Sequence, residues 1–225
     1  AIVGMRFFDI NALTALRDTI LAGTNGEGVY RSTNNGERWH PSNGGLESMT
    51  INSFMINRVD EIFISTSEGN VSFSVNGGSS WQVYDDQSVY YDTDTGDTIY
   101  VSLNVISMTF NDEDELIVGT ADVGLWRHDN VDEAWVKTED FVHNCVLDFA
   151  INSDGKLFAA KPSSPQRGLV TSDDDGETWS KIGFTARDWI EVLGSKDSLI
   201  IVKKIVHATK EETYYDSKYY DDCRD

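Results

Sequence analysis

Basic residues are scarce. Lys and Arg total 18 against 38 Asp and Glu, a formal charge of −20. Such a chain repels phosphate backbones, which excludes nucleic acid as a partner class. Cysteine is nearly absent: Cys145 falls within an expected strand and Cys223 almost at the C-terminus. Two cysteines make no disulfide framework, and neither stands in a CxxC metal spacing. A single bridge between them and two inert thiols are both open. No apolar run approaches the roughly 18–20 residues of a membrane-spanning helix, so no transmembrane segment is expected. No Ser-His-Asp order, Gly-rich phosphate loop or metal-binding His pair stands out. The chain opens Ala-Ile-Val, without Met and without a basic-then-apolar leader, and is read as a processed or trimmed product.

What is present is a repeat. Ser32-Thr33-Asn34-Asn35-Gly36-Glu37-Arg38-Trp39, Ser74-Val75-Asn76-Gly77-Gly78-Ser79-Ser80-Trp81 and Ser172-Asp173-Asp174-Asp175-Gly176-Glu177-Thr178-Trp179 all read Ser-x-Asn/Asp-x-Gly-x-x-Trp. A worn copy runs from His128 through Asn130 and Asp132 to Trp135. Copies spaced by roughly 40–50 residues indicate propeller blades. An apolar run precedes each box: Ile20 to Thr24, Ile62 to Thr66, Leu116 to Thr120 and Leu157 to Lys161. Further upstream lie alternating runs at Ala12 to Leu16, Ile51 to Ile56, Val105 to Phe110 and Val146 to Ile151. Each repeat therefore reads as four strands, with the box at the turn between the third and fourth.

The expected fold is all-β, a β-propeller of about five four-stranded blades, or a fragment of a larger one. The blades fall near 10–42, 50–84, 105–138, 145–182 and 189–215, within a single domain spanning 1–210. Residues 1–8 would close the ring, Met5 to Phe8 as an outer strand. In the fifth unit, Trp189 to Leu193 and Ser198 to Val202 read as the first two strands and Ile205-Val206-His207 as the third. An acidic, tyrosine-rich segment, 211–225, ends the chain.

The boxes resemble the Asp-box, or BNR, repeats of sialidases, sortilin-type receptors, some xyloglucanases and photosystem II assembly factors. The resemblance covers roughly residues 10–185 and implies a propeller. It leaves the function open, because the family holds both hydrolases and binding proteins. The box itself is read as a structural staple. Its Ser and Asn/Asp side chains bond backbone within a tight turn, and its Gly tolerates positive φ. Its Trp folds back over the turn, worth roughly 4–6 kcal/mol gross at about 25 cal/mol per Å².

Function is expected on the other end of the blades, among the loops. One connection there, 85–104, is oversized and reads as a β-hairpin: Val89 to Asp92, a polar turn, then Thr98 to Val101. Tyr90, Tyr91 and Tyr100 offer rigid amphipathic contact area for a protein partner or a glycan. His143, Arg167, Arg187 and Trp189 join them as candidate binding residues. In the turn, Asp92, Asp94 and Asp97 alternate as Ca²⁺ ligands would, although Gly96 and Asp97 stand in reverse of the EF-hand order and the twelfth residue is Leu103. No motif requires a cofactor; calcium is the ion this turn would take.

Sialidase chemistry needs an arginine cluster for the substrate carboxylate. The family's Arg-Ile-Pro context is missing, because Arg6 precedes Phe7-Phe8. Arg31, Arg38 and Arg127 fall in or beside the box strands and turns. A glycosidase needs only two carboxylates, and Glu139, Asp140 and Asp188 sit in the expected loops. The reading is a non-catalytic binding or scaffolding propeller, extracytoplasmic by analogy. A glycoside hydrolase is the alternative, and a structural subunit of a larger assembly the third.

Overall fold

The structure is a computed structural model that describes residues 9–68, 71–85, 89–91, 98–100, 103–130, 134–138, 145–161, 168–182, 189–196 and 199–205. Among the described residues all regular structure is β. The first sheet is a meander of β1 (Ile10–Leu16), β2 (Thr19–Thr24), β3 (Val29–Ser32) and β4 (His40–Pro41). The second holds β5 (Ile51–Ile56), β6 (Ile62–Thr66), β7 (Val71–Ser74) and β8 (Gln82–Asp85). A separate hairpin follows, β9 (Val89–Tyr91) and β10 (Thr98–Tyr100). The third sheet is β11 (Val105–Phe110), β12 (Leu116–Thr120), β13 (Leu125–Asp129) and β14 (Ala134–Lys137). The fourth is β15 (Asp148–Ile151), β16 (Leu157–Lys161), β17 (Gly168–Ser172) and β18 (Ser180–Ile182). A two-stranded sheet of β19 (Trp189–Lys196) and β20 (Leu199–Ile205) completes the order. Ile205 thus ends β20 and does not begin a third strand; 206–225 lie outside the described residues. The chain divides into two compact units, 1–108 and 109–225, with the boundary inside β11.

Each sheet is built by turns that side chains close locally. Between the first two strands, Asn57 Oδ1 accepts the Val59 and Glu61 amides at 3.1 and 2.9 Å. Asn111 does the same for Glu113 and Glu115, and Asn152 for Asp154 and Lys156. The fourth residue of each turn has positive φ: Asp60, Asp114 and Gly155. Between the second and third strands, Thr24 Oγ1 donates to Gly28 O at 2.8 Å, and Thr120 Oγ1 to Gly124 O at 2.7 Å. Such bonds substitute for water on backbone groups that a tight turn strands.

The boxes close the third turn in one way. Ser32 Oγ accepts the Gly36 amide at 3.0 Å, Ser74 Oγ the Gly78 amide at 2.9 Å and Ser172 Oγ the Gly176 amide at 2.9 Å. The same hydroxyls donate to Asn34, Asn76 and Asp174 Oδ1. Gly36, Gly78 and Gly176 all have positive φ. Trp39 and Trp179 donate Nε1–H to the carbonyls of their own box glycines at 2.9 and 3.1 Å. In the worn copy Trp135 is buried, yet its Nε1 has no acceptor among the described residues; Asp132, in the glycine's place, lies outside them.

The boxes also join sheets, which a purely local staple would not do. In the first unit Leu21, Val29, Ile51, Ile62, Ile64 and Trp81 form one core between the first and second sheets. Trp81 reaches past its own turn and donates Nε1–H to Ser42 O of the preceding sheet at 2.8 Å. Ser42 Oγ returns a bond to Gly78 O at 2.5 Å, and Arg31 Nε donates to Gly77 O at 2.8 Å. Leu21 presses on Gly78 so closely that a Cβ there would lie 2.8 Å from its methyls. In the second unit Ile117 stands over Gly176 at the same 2.8 Å. There Val146, Phe149, Leu157 and Trp179 pack with Ile117 and Leu125 into one core.

Two outcomes test the boxes. Trp81→Ala removes both the core ring and the cross-sheet bond, and is expected to lower unfolding free energy by about 3–5 kcal/mol in urea titration. The second concerns Asp174, which stands where the first two boxes carry Asn. Burial alone would raise its carboxyl, but bonds from the Thr178 hydroxyl and amide and from Ser172 hold it below the ordinary range. A folded-state value below the unfolded one gives stability above the unfolded value, lost as pH falls through the folded one. Asp174→Asn is therefore expected to melt lower than the parent at pH 7 by less than about 1 kcal/mol. The difference should shrink below about pH 4 in a pH series of melting curves.

Candidate functional site

Every four-stranded sheet has two unlike ends. One carries the first turn and the box; the other carries the second turn and the connections to neighbouring sheets. The sequence placed function at the second, loop end. Glu139, Asp140 and His143 fall between β14 and β15, Arg167 between β16 and β17, and Arg187 and Asp188 before β19. Asp92, Asp94 and Asp97 fall between β9 and β10. All nine lie outside the described residues. Trp189 opens β19, paired with Ile205.

Strands β9 and β10 form an antiparallel hairpin whose register pairs Thr98 with Tyr91, Ile99 with Tyr90 and Tyr100 with Val89. Neither strand joins a blade among the described residues.

The innermost strands carry a feature that the sequence reading missed. β1, β5 and β19 each contain a one-residue bulge, at Asn11, Asn52 and Glu191. A bulge re-aims the extra residue. Asn11 Nδ2 donates to Ile51 O at 3.1 Å and Asn52 Nδ2 to Val105 O at 2.8 Å, so each amide links one innermost strand to the next. Glu191 takes the same register position. The signal was available: an apolar pair three apart flanks each bulge, Ile10/Leu13, Ile51/Phe54 and Ile190/Leu193.

The second strands hold another missed residue. Thr24, Thr66 and Thr120 end β2, β6 and β12, each at most 1% exposed. Lys161 ends β16 at the same position and is equally buried, at 1%. A buried ammonium persists only with compensating partners. The fourth sheet thus places a lysine amine at its loop end where the other four-stranded sheets place a hydroxyl. Cys145, buried where the chain enters this sheet, is not a free thiol; Cys223 lies outside the described residues.

The turn end of the second unit contains two open grooves. One, of about 400 Å³, is lined by Arg127, Lys137, Thr138, Glu177 and Thr178 among others. Arg127 corresponds to Arg31, yet its Nη1 donates to Glu115 Oε2 at 2.6 Å. Burial alone would lower the Arg127 pKa, but its bond to Glu115 and the nearby carboxylates raise it, so the guanidinium is firmly charged. Glu115 stands where the first sheet has Thr19, and it holds the arginine that there reaches the box backbone. The other groove, of about 230 Å³, gathers Asp112, Asp154, Asp173 and Asp175. Lys156 Nζ bonds Asp173 at 2.8 Å within it. Among the described residues no group of three or more His, Cys, Asp or Glu side chains could hold a metal ion.

No known family and no curated protein matches the chain in sequence. Solved structures do match in fold. The extracellular domain of BT4673 from B. thetaiotaomicron superposes with a TM-score of 0.66 at 17% identity, over 87% of this chain and 26% of that one. YCF48 bound to D1 peptide gives 0.58 at 16% identity, over 89% of this chain and 64% of the other. The GH74 xyloglucanase from Xanthomonas campestris gives 0.60 at 14% identity, over 83% and 32%. The chain spans less than two thirds of each of these proteins. No described helix is long and apolar enough to cross a membrane. The fold is that of a β-propeller, made of four-stranded antiparallel blades.

Proposed function

We infer that this chain is a non-catalytic binding propeller with Asp-box repeats, which engages an extended segment of a partner protein at its loop end. The carrying observation is the β9–β10 hairpin, a two-stranded insertion between blades whose strands pair with each other alone among the described residues. Its strands carry Tyr90, Tyr91 and Tyr100 and are paired only with each other among the described residues. Extended peptides dock onto strand edges through main-chain bonds. YCF48, which has the same fold, holds a D1 peptide, and that supports a peptide ligand here. The charge of −20 would steer a basic segment. An extracytoplasmic setting is part of this reading, supported by the match to an extracellular domain.

A glycoside hydrolase is the second reading, favoured by the GH74 matches. It requires two carboxylates about 5–9.5 Å apart. Glu191, at the loop end of the two-stranded sheet, adds a candidate to Glu139, Asp140 and Asp188.

The test compares the intact chain with one whose residues 89–100 are replaced by a short turn. Both are screened against a displayed random-peptide library and incubated with xyloglucan oligosaccharides. Peptides selected on the intact chain should lose at least about tenfold in affinity on the replacement, about 1.4 kcal/mol. The triple variant Tyr90→Ala, Tyr91→Ala and Tyr100→Ala should weaken them as well. Equal binding to both chains would sink the docking role. Oligosaccharide cleavage abolished by Glu191→Gln would establish the hydrolase instead.

A further inference from the structure

The boxes, turns and blade cores leave Cys145 without a role. It lies just before β15 and is 2% exposed. Backbone bonds fix the residues that follow it. Val146 donates to Thr120 O of the third sheet at 3.1 Å, and Leu147 donates to Ala160 O of the fourth at 3.0 Å. Cys145 thus stands at the loop end of both sheets, where β12 and β16 finish. Its sulfur is disulfide-bonded and not a free thiol.

The bond points to its own partner. The sequence holds one other cysteine, Cys223, which lies outside the described residues. Bridged Cα atoms stand only about 4.4–6.8 Å apart. A sulfur as enclosed as that of Cys145 therefore cannot meet a cysteine on another molecule. Both cysteines belong to the compact unit 109–225.

We propose that Cys145 and Cys223 form an intrachain disulfide, which staples the acidic, tyrosine-rich segment 211–225 to the loop end of the fourth sheet. The bond closes a loop of about 80 residues that contains β15 to β20. Closing so long a loop restricts the unfolded chain and so stabilises the folded one. With Cα steps of about 3.8 Å, Asp221 and Asp222 come within roughly 15 Å of Cys145. Carboxylates thereby gather at the end of the sheet that buries Lys161. The bond forms by exchange with a small-molecule disulfide, before Cys145 is enclosed. The Cys223 thiolate attacks one sulfur of that disulfide and releases a thiolate. The Cys145 thiolate then attacks the Cys223 sulfur and releases the second. The two cysteines lose two protons and two electrons, and the small disulfide is reduced to two thiols. Such a bond persists in oxidising compartments, in keeping with an extracytoplasmic setting.

The experiment is tryptic peptide mapping of the 225-residue chain, refolded in a glutathione redox buffer, then unfolded with iodoacetamide and digested without reductant. Cleavage after Lys137, Lys156, Lys218 and Arg224 isolates the cysteines on peptides 138–156 and 219–224. The expected result is one linked species, lighter than the two peptides together by two hydrogens and split by reductant. Two separately alkylated peptides, or a dimer of 138–156, overturn the proposal. Melting curves test the staple. Cys223→Ser should melt at least about 5 °C below the oxidised parent, and the parent refolded with reductant should fall with it. Equal melting of all three overturns the stapling role. If Cys223→Ser fails to fold, the oxidised and reduced parent alone decide.

Discussion

Two antiparallel sheets can stack this tightly only where one of them carries no side chain. Gly23 and Gly78 are where the first and second blades touch, and Gly176 plays the part of Gly78 in the second unit. At each, a single added carbon would fall within 2.6–2.8 Å of a neighbouring apolar side chain. The box glycine thus has two duties. Its positive φ turns the chain, and its missing side chain admits Leu21 or Ile117 from the blade before. The serine and asparagine bonds, the tryptophan and the short fourth strand all hold that one residue in place.

This dual duty explains how far the sequence could be read. Box spacing, strand positions and the turn between third and fourth strands follow from local chemistry, and they are visible as a repeat. The innermost strand at Ile51–Ile56 and the hairpin at 89–100 came from alternation alone. Other features need partners distant in sequence. Trp39 and Trp81 occupy identical box positions, yet one bonds its own turn and the other the preceding sheet. Nothing within either box distinguishes them. The bulges at Asn11, Asn52 and Glu191 likewise emerge only when strands are paired.

The candidate site was less legible than the fold for a related reason. Loop residues are not bound by the repeat, so periodicity says little about them. What pairing does reveal is departure from the pattern. Lys161 replaces a threonine, Glu191 replaces an asparagine amide, and Glu115 replaces Thr19 and redirects an arginine. Lys161 puts an amine where the other three four-stranded sheets keep a buried hydroxyl, and burying a charge is costly unless partners compensate it. These departures, rather than the repeat, separate one propeller from another.

The local closure of the turns has a consequence for how the chain acquires its structure. The side-chain bonds that define the first, second and box turns span at most four residues. A blade can therefore organise from its own stretch of sequence, before distant segments meet, and its neighbours add through one interface at a time. Contacts of such short range favour rapid folding and a stepwise, nearest-neighbour order of assembly. Emerging from a ribosome, the first meander has all its turn chemistry in hand by Trp39. It then needs only the second to cover Leu21.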